Sequence, residues 1–180
     1  MRILILAATG RVSSYLIPDL LNSTDADLVL FGHNVDKRLQ KYQGNNRVTL
    51  VNGDLGNIDE IKAAAQGVDF AVLNLMTGNP VTSNAVEALE DSSCDRLVVT
   101  GGHCEPNDAI GERSVNNSKL NTTYIHAPWY TDGDEVNYRV THEDNDGSHH
   151  VSRASVADFI TKLTQDPSKY SNDDLTLYMD

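Results

Sequence analysis

The sequence predicts an α/β fold built on a doubly wound parallel sheet, in a single domain, and three observations carry that expectation. Short apolar runs rich in β-branched residues alternate with helical stripes along the chain, the signature of a parallel sheet with helices on both faces. The opening MRILILAATGRVSS reads as a strand, a turn and the start of a helix. The 180 residues match one ordinary domain, which buries roughly 70% of the surface its unfolded chain exposes.

The elements follow in order. Strands are expected at Arg2 to Ala7, Asp27 to Phe31, Arg47 to Val51, Asp69 to Leu75, Arg96 to Thr100 and Thr122 to Ile125. Val12, Leu16 and Leu20 recur at four-residue spacing and mark the first helix; Ile58, Ile61 and Ala65 mark another. Asn79-Pro80 reads as an N-cap followed by proline at the first helical position. Gly53, Gly67 and Gly101-Gly102 fall at element ends, where turns form. The polar run Gly111 to Lys119 is compatible with a short helix or a loop. Val156, Phe159, Ile160 and Leu163 define an amphipathic helix near the end.

Composition excludes several classes of function. With 14 basic against 26 acidic residues the net charge is −12, which argues against a nucleic-acid partner, since phosphate backbones are held by clustered Lys and Arg. Acid gathers in Thr131 to Glu135, Glu143 to Asp146 and Asp173-Asp174, read as solvated loops. No apolar run approaches the ~18 residues of a membrane span, and the run Ile3 to Ala8 is shorter than the ~7–15 residues of a signal sequence core. The Asn-x-Ser/Thr matches at Asn22, Asn116 and Asn121 are then expected to be chance. Two cysteines, Cys94 and Cys104, make no disulfide framework, so a reduced, cytoplasmic location is expected. No metal site is expected: a calcium loop placing Gly147 sixth would put Arg153 where its bidentate Glu belongs, and His149-His150 are adjacent.

The turn at Ala7 to Ser14 raises a sharper question. In a dinucleotide fold the first strand runs into a glycine-rich turn and then a helix whose N-terminal amides hold a pyrophosphate. On a GxxGxxG spacing the three positions read Ala7, Gly10 and Ser13. Only the middle glycine remains, the one that lets phosphates approach the backbone. Ala7 is expected to cost strain if its φ is positive, Ser13 to push the helix outward, and Thr9 and Ser13 to offer hydroxyls to a phosphate. At the end of the second strand, Phe31-Gly32-His33-Asn34 carries no acid to hold a ribose 2′-hydroxyl. Arg11, His33, Lys37 and Arg38 could instead surround a 2′-phosphate, tilting the cofactor toward NADP over NAD; Lys37 and Arg38 could equally solvate the following helix.

These residues resemble a known family. Ala8-Thr9-Gly10-Arg11-Val12 is similar to the turn of atypical short-chain dehydrogenase/reductases, especially the NmrA-like and NADH-flavin-reductase-like NAD(P)-binding proteins, which have a Rossmann-type fold. Further similarity lies in Asn52 to Leu55, Gly67-Val68-Asp69, Arg96 to Gly102, Ala127-Pro128-Trp129 and Ser152 to Asp158. The resemblance implies that Asp54 and Leu55 lie against the adenine, Asn74, Leu75 and Met76 along the middle of the cofactor, and Thr100, Gly101 and Gly102 near the nicotinamide. Asp54 could equally be a turn residue capping the next helix. It also implies that residues 127–180 supply the substrate-side loops and terminal helix.

The catalytic dyad of ordinary members, a Tyr and Lys spaced YxxxK, is absent, because no tyrosine here is followed four residues later by lysine. Gly101-Gly102 also stand where the family's fifth-strand serine belongs. His103 and His126 are the remaining, weak candidates for proton donation, each of them more readily read as a hydrogen-bonded structural histidine. The sequence therefore points to an NAD(P)-dependent oxidoreductase with a small flavin- or quinone-like acceptor, whose reduction needs little acid catalysis. The alternative is a non-catalytic dinucleotide-binding sensor or regulator.

Overall fold

The computed structural model describes residues 1–75, 80–101, 112, 114–127, 129–143 and 148–179. Asn79, Met76, Gly102, His103, Cys104, Pro128 and the Asp144 to Gly147 run lie outside the described residues.

The apolar runs become strands β1 (Arg2–Leu6), β2 (Asp27–Gly32), β3 (Val48–Asn52), β4 (Phe70–Asn74), β5 (Arg96–Gly101) and β6 (Asn121–His126). All pair in parallel, in the order β3-β2-β1-β4-β5-β6. This is the doubly wound order, and the direction of winding reverses between β1 and β4. Helices α1 (Arg11–Ser23), α2 (Val35–Arg38), α3 (Ile58–Ala64) and α4 (Val81–Glu90) connect them. Residues 112 and 114–116 are also helical, so the polar run after β5 is at least partly helix.

Strand alternation divides the core into two layers. Ile3, Ile5, Leu28, Leu30 and Val72 face α1 and the last helix, α5 (Arg153–Gln165), whereas Leu4, Leu6, Val29, Phe31 and Leu73 face α3 and α4. The expected stripes bury as predicted: Val12, Leu16 and Leu20 on α1, and Val156, Phe159, Ile160 and Leu163 on α5. Ser152 caps α5, its Oγ accepting from the Ser155 amide at 3.0 Å. Helix α4 begins one residue later than expected: Pro80 is its N-cap, with its carbonyl accepting from the Asn84 amide.

Four strands were not legible in the sequence. Trp129–Thr131 (β7) and His150–Ser152 (β9) form a separate parallel pair. Arg139–Thr141 (β8) and Asp173–Tyr178 (β10) extend the main sheet, β10 lying parallel to β6 and antiparallel to β8. The reading of Asp173-Asp174 as a solvated loop is thus corrected. Each carboxylate is held by a histidine, Asp173 by His142 at 2.9 Å and Asp174 by His126 at 2.5 Å, and Leu175, Thr176 and Leu177 beyond them are buried.

One buried charge ties this extension to the rest. Arg96 at the start of β5 is 2% exposed. Its guanidinium donates to the carbonyls of Pro167 at 3.0 Å, Asn121 at 3.2 Å and Lys169 at 3.2 Å, and to the Thr123 hydroxyl at 2.5 Å. Burial pushes its pKa down to about 10, so it remains charged at neutral pH.

Candidate functional site

The crevice at the carboxyl ends of β1 and β4, where the sheet order reverses, is the place where open α/β sheets bind ligands. The eroded turn sits there. Ala7 has φ 58°, in the left-handed region expected of a glycine. Its carbonyl accepts from the Gly10 amide at 2.9 Å and from the Ser13 hydroxyl at 3.1 Å. Asn74, at the end of β4, donates from Nδ2 to Ser13 Oγ at 3.3 Å.

The two residues that replace glycines are therefore linked in one chain, Asn74 to Ser13 to Ala7, that fixes the turn. This corrects one expectation: Ser13 is fully buried and its hydroxyl holds the turn, so it does not face a phosphate. Replacing Ala7 by glycine should relieve about 1–2 kcal/mol of strain against roughly 0.4–1 kcal/mol of added unfolded-state entropy. The expected net gain is a rise in Tm of a few degrees, measured by thermal unfolding.

Gly10 is the N-cap of α1, and no side chain caps the helix. A 13-residue helix thus points its first amides and the positive end of its dipole into the crevice. Thr9 does not reach forward alone. Arg38 Nη1 donates to Thr9 Oγ1 at 2.9 Å and Nη2 to the Thr9 carbonyl at 3.1 Å, which lays the guanidinium over the turn. Beside it, Arg38 and Lys41 share a hollow of about 180 Å³ with Ala8, Thr9 and Gly10; Lys41 was not singled out by the sequence.

The four basic residues expected around a 2′-phosphate, Arg11, His33, Lys37 and Arg38, differ in their partners. Arg11 lies 3.5 Å from Asp132, and His33 lies 3.6 Å from Asp54, both pairs being exposed. Lys37 and His33 line a second hollow, of about 440 Å³, together with Asn34, Asp36, Asp54 and Glu60. Asn34 takes φ 52° as the N-cap of α2, a conformation that asparagine tolerates. Asp54 is a turn residue: its Oδ1 accepts from the Gly56 amide at 2.7 Å, while Asn57, not Asp54, caps α3. Leu55 and Leu75 pack partly against the α3 and α4 layer, and Val12 against the other.

Farther along the strand ends, Asn74 and Thr100 are register partners. Thr100 is 1% exposed, and Asn74 Oδ1 is buried with no hydrogen-bond partner among the described residues. Gly101 has a steric reason to be glycine, since a Cβ there would collide with the Tyr124 ring and hydroxyl from β6. No serine fits.

His126 pairs in register with Gly101 and is hydrogen-bonded to Asp174, an arrangement that orients an imidazole and favours its charged form. Burial raises the Asp174 pKa, but hydrogen bonding and charge from His126, with hydrogen bonds from Asn116 and Glu112, more than reverse this and leave it below 3.8. A depressed carboxyl contributes stability above its unfolded pKa and loses it as pH falls through the folded value. Asp174→Asn should therefore lower Tm relative to the native chain above about pH 5, with the gap closing below about pH 3, in melts run across pH. Glu112, His126 and Asp174 also form the one described group that could hold a metal, their ligand atoms lying within 4.8 Å of one another. Three segments contribute them, so no local spacing announced the group.

Sequence order, crevice and uncapped helix together define a dinucleotide-binding α/β protein of the Rossmann class. The donor set fits that ligand: the uncapped first amides of α1 after Gly10 for phosphate, with the Arg38 guanidinium beside the turn. The family model described as NAD(P)H-binding matches residues 7–167, and the chain belongs to this family.

Solved structures share the fold. A short-chain dehydrogenase/reductase (wide type) from Veillonella parvula, in complex with NADP, superposes with a TM-score of 0.90 at 19% identity over 98% of this chain and 94% of that one. A Rossmann-fold NAD(P)-binding family protein from Shigella flexneri gives 0.89 at 24% identity over 99% and 93%. ChuY, an anaerobillin reductase from Escherichia coli O157:H7, gives 0.84 at 16% identity over 99% and 97%. No curated protein matches at the sequence level. Among the described residues no helix is long and apolar enough to cross a membrane.

Proposed function

We propose that this chain is an NADPH-dependent oxidoreductase that reduces a small flavin- or quinone-like acceptor. The observation that carries the reading is the uncapped N-terminus of α1, held at the sheet's reversal point by the Ala7-Ser13-Asn74 chain. The pyrophosphate would lie near Thr9, Gly10, Arg11 and Val12, taken by the first amides of α1 at Arg11 and Val12, while Gly10 lets it approach the backbone closely. Arg38, with Lys41, Lys37 and His33 nearby, would meet the 2′-phosphate. Asn34, Asp54 and Leu55 would border the adenosine; Asn74, Leu75 and Met76 the middle; Thr100, Gly101 and Gly102 the nicotinamide.

Bound reduced nicotinamide supplies hydride; the chain binds and orients. His126, held by Asp174, is the candidate proton source beside Gly101, and His103 follows the same strand. Residues 127–180 would supply the substrate side. The NADP complex of the Veillonella protein and the reductase activity of ChuY support both cofactor and reaction class. The lack of YxxxK favours a second reading, a dinucleotide-binding sensor without turnover.

Titration with NADPH and NADH, followed by assays on ketones, flavins and quinones, separates these readings. Tight NADPH binding with turnover of flavins or quinones supports the enzyme, whereas binding with silence across the panel supports the sensor. Arg38→Ala should weaken NADPH by about 10-fold or more and leave NADH nearly unchanged, since one charge-assisted contact is worth about 1.5–3 kcal/mol. Equal losses for both nucleotides would remove Arg38 from the 2′-phosphate.

A further inference from the structure

We propose that Tyr130 recognises the reducible molecule, its hydroxyl donating a hydrogen bond to an acceptor oxygen or unprotonated nitrogen bound at the strand ends. The inference rests on the oxidoreductase reading and adds the substrate feature that the site selects.

Tyr130 is the middle residue of β7, so the pleat turns it inward while its neighbour Trp129 is 73% exposed. Its Oη is buried and has no hydrogen-bond partner among the described residues. It lies near the Thr100 hydroxyl at the end of β5, outside hydrogen-bond geometry. Thr100 in turn pairs in register with Asn74, the residue that anchors the turn. The orphaned hydroxyl thus belongs to the same row of strand ends as the nucleotide cradle.

Buried tyrosine hydroxyls are normally paired, and phenylalanine would fill this space without burying a polar atom. The penalty is accounted for if a ligand supplies the missing partner. The surroundings fix which role the hydroxyl plays. Arg153 stacks 5.2 Å over the ring and is itself held by Asp132 at 2.5 Å, so its charge is engaged at the rim. Burial is the main influence on the phenol and pushes its pKa up to about 12. At neutral pH the group keeps its proton and serves as a donor. A quinone or flavin carbonyl, or a flavin ring nitrogen, offers the complementary acceptor, and a hydrocarbon ring does not.

The test is Tyr130→Phe. Trp129 is the sole tryptophan and adjoins the residue, so its quenching reports binding of 1,4-naphthoquinone or FMN to protein saturated with NADP. The variant should keep its NADP affinity and a Tm equal to or above that of the native chain, while losing about 10-fold or more in probe affinity. The combination is diagnostic, because a structural hydroxyl would lower Tm on removal. Unchanged probe affinity overturns the proposal, as does a clear fall in Tm or failure of the native chain to bind either probe while binding NADP. Failure to bind NADP at all overturns the oxidoreductase reading instead.

Discussion

Replacing Gly10 with valine is expected to weaken NADPH binding by about 100-fold or more, because two charge-assisted phosphate contacts together are worth about 3 kcal/mol or more. The reason lies in access. Gly10 has an ordinary φ of −74°, so the backbone itself accepts a side chain. A Cβ there would sit only 3.1 Å from the Ala7 carbonyl oxygen, however, and the remaining valine atoms would stand before the first amides of α1. Isothermal titration should show the loss while circular dichroism shows a folded chain. Affinity within a few-fold of native would mean that the phosphates do not bind at this turn.

The largest stability effect is expected at Arg96. Arg96→Ala removes the donors that satisfy the Pro167 and Lys169 carbonyls and leaves a cavity, a combined loss on the order of 3–5 kcal/mol. Tm should fall by roughly 10 °C or more. Arg96→Lys should recover little, since a point charge with three donors cannot reproduce a planar fork reaching several carbonyls. Chemical denaturation gives the direct measure, and a change below about 1 kcal/mol would show that water replaces the guanidinium at no cost.

The parallel half of the fold was legible because its strands are continuous apolar runs buried on both faces, as β4 and β5 are throughout. Strands β7 to β9 have three residues each, too few for alternation to register. Strand β10 begins with two aspartates whose partners, His142 and His126, lie more than thirty residues away in sequence. Composition reports the charge of such residues and is silent on their pairing.

The candidate site divides along the same line. The turn was found by its position after β1, and even the strain at Ala7 followed from its place in the motif. The use made of Ser13 was not foreseeable, because it depends on Asn74 arriving from another strand. The expected basic group came from counting neighbours in sequence, which could not show that Arg11 and His33 also lie beside Asp132 and Asp54 in space. Tyr130 carried no signal beyond its place after Trp129, since orphaned hydroxyls exist only in three dimensions.

The placement of β10 between β6 and β8 bears on the order in which the molecule can be built. Both neighbours precede it in the chain, so residues 139–141 have no seat in the main sheet until residues 173–178 have left the ribosome. The winding from β1 to β6 can assemble during synthesis, as chains generally fold from the N-terminal side. The border of the sheet beyond β6 then closes in a single late event, with β10 as its keystone. Nascent chains would hold the turn after β1 and the start of α1 before the far border of the sheet is finished.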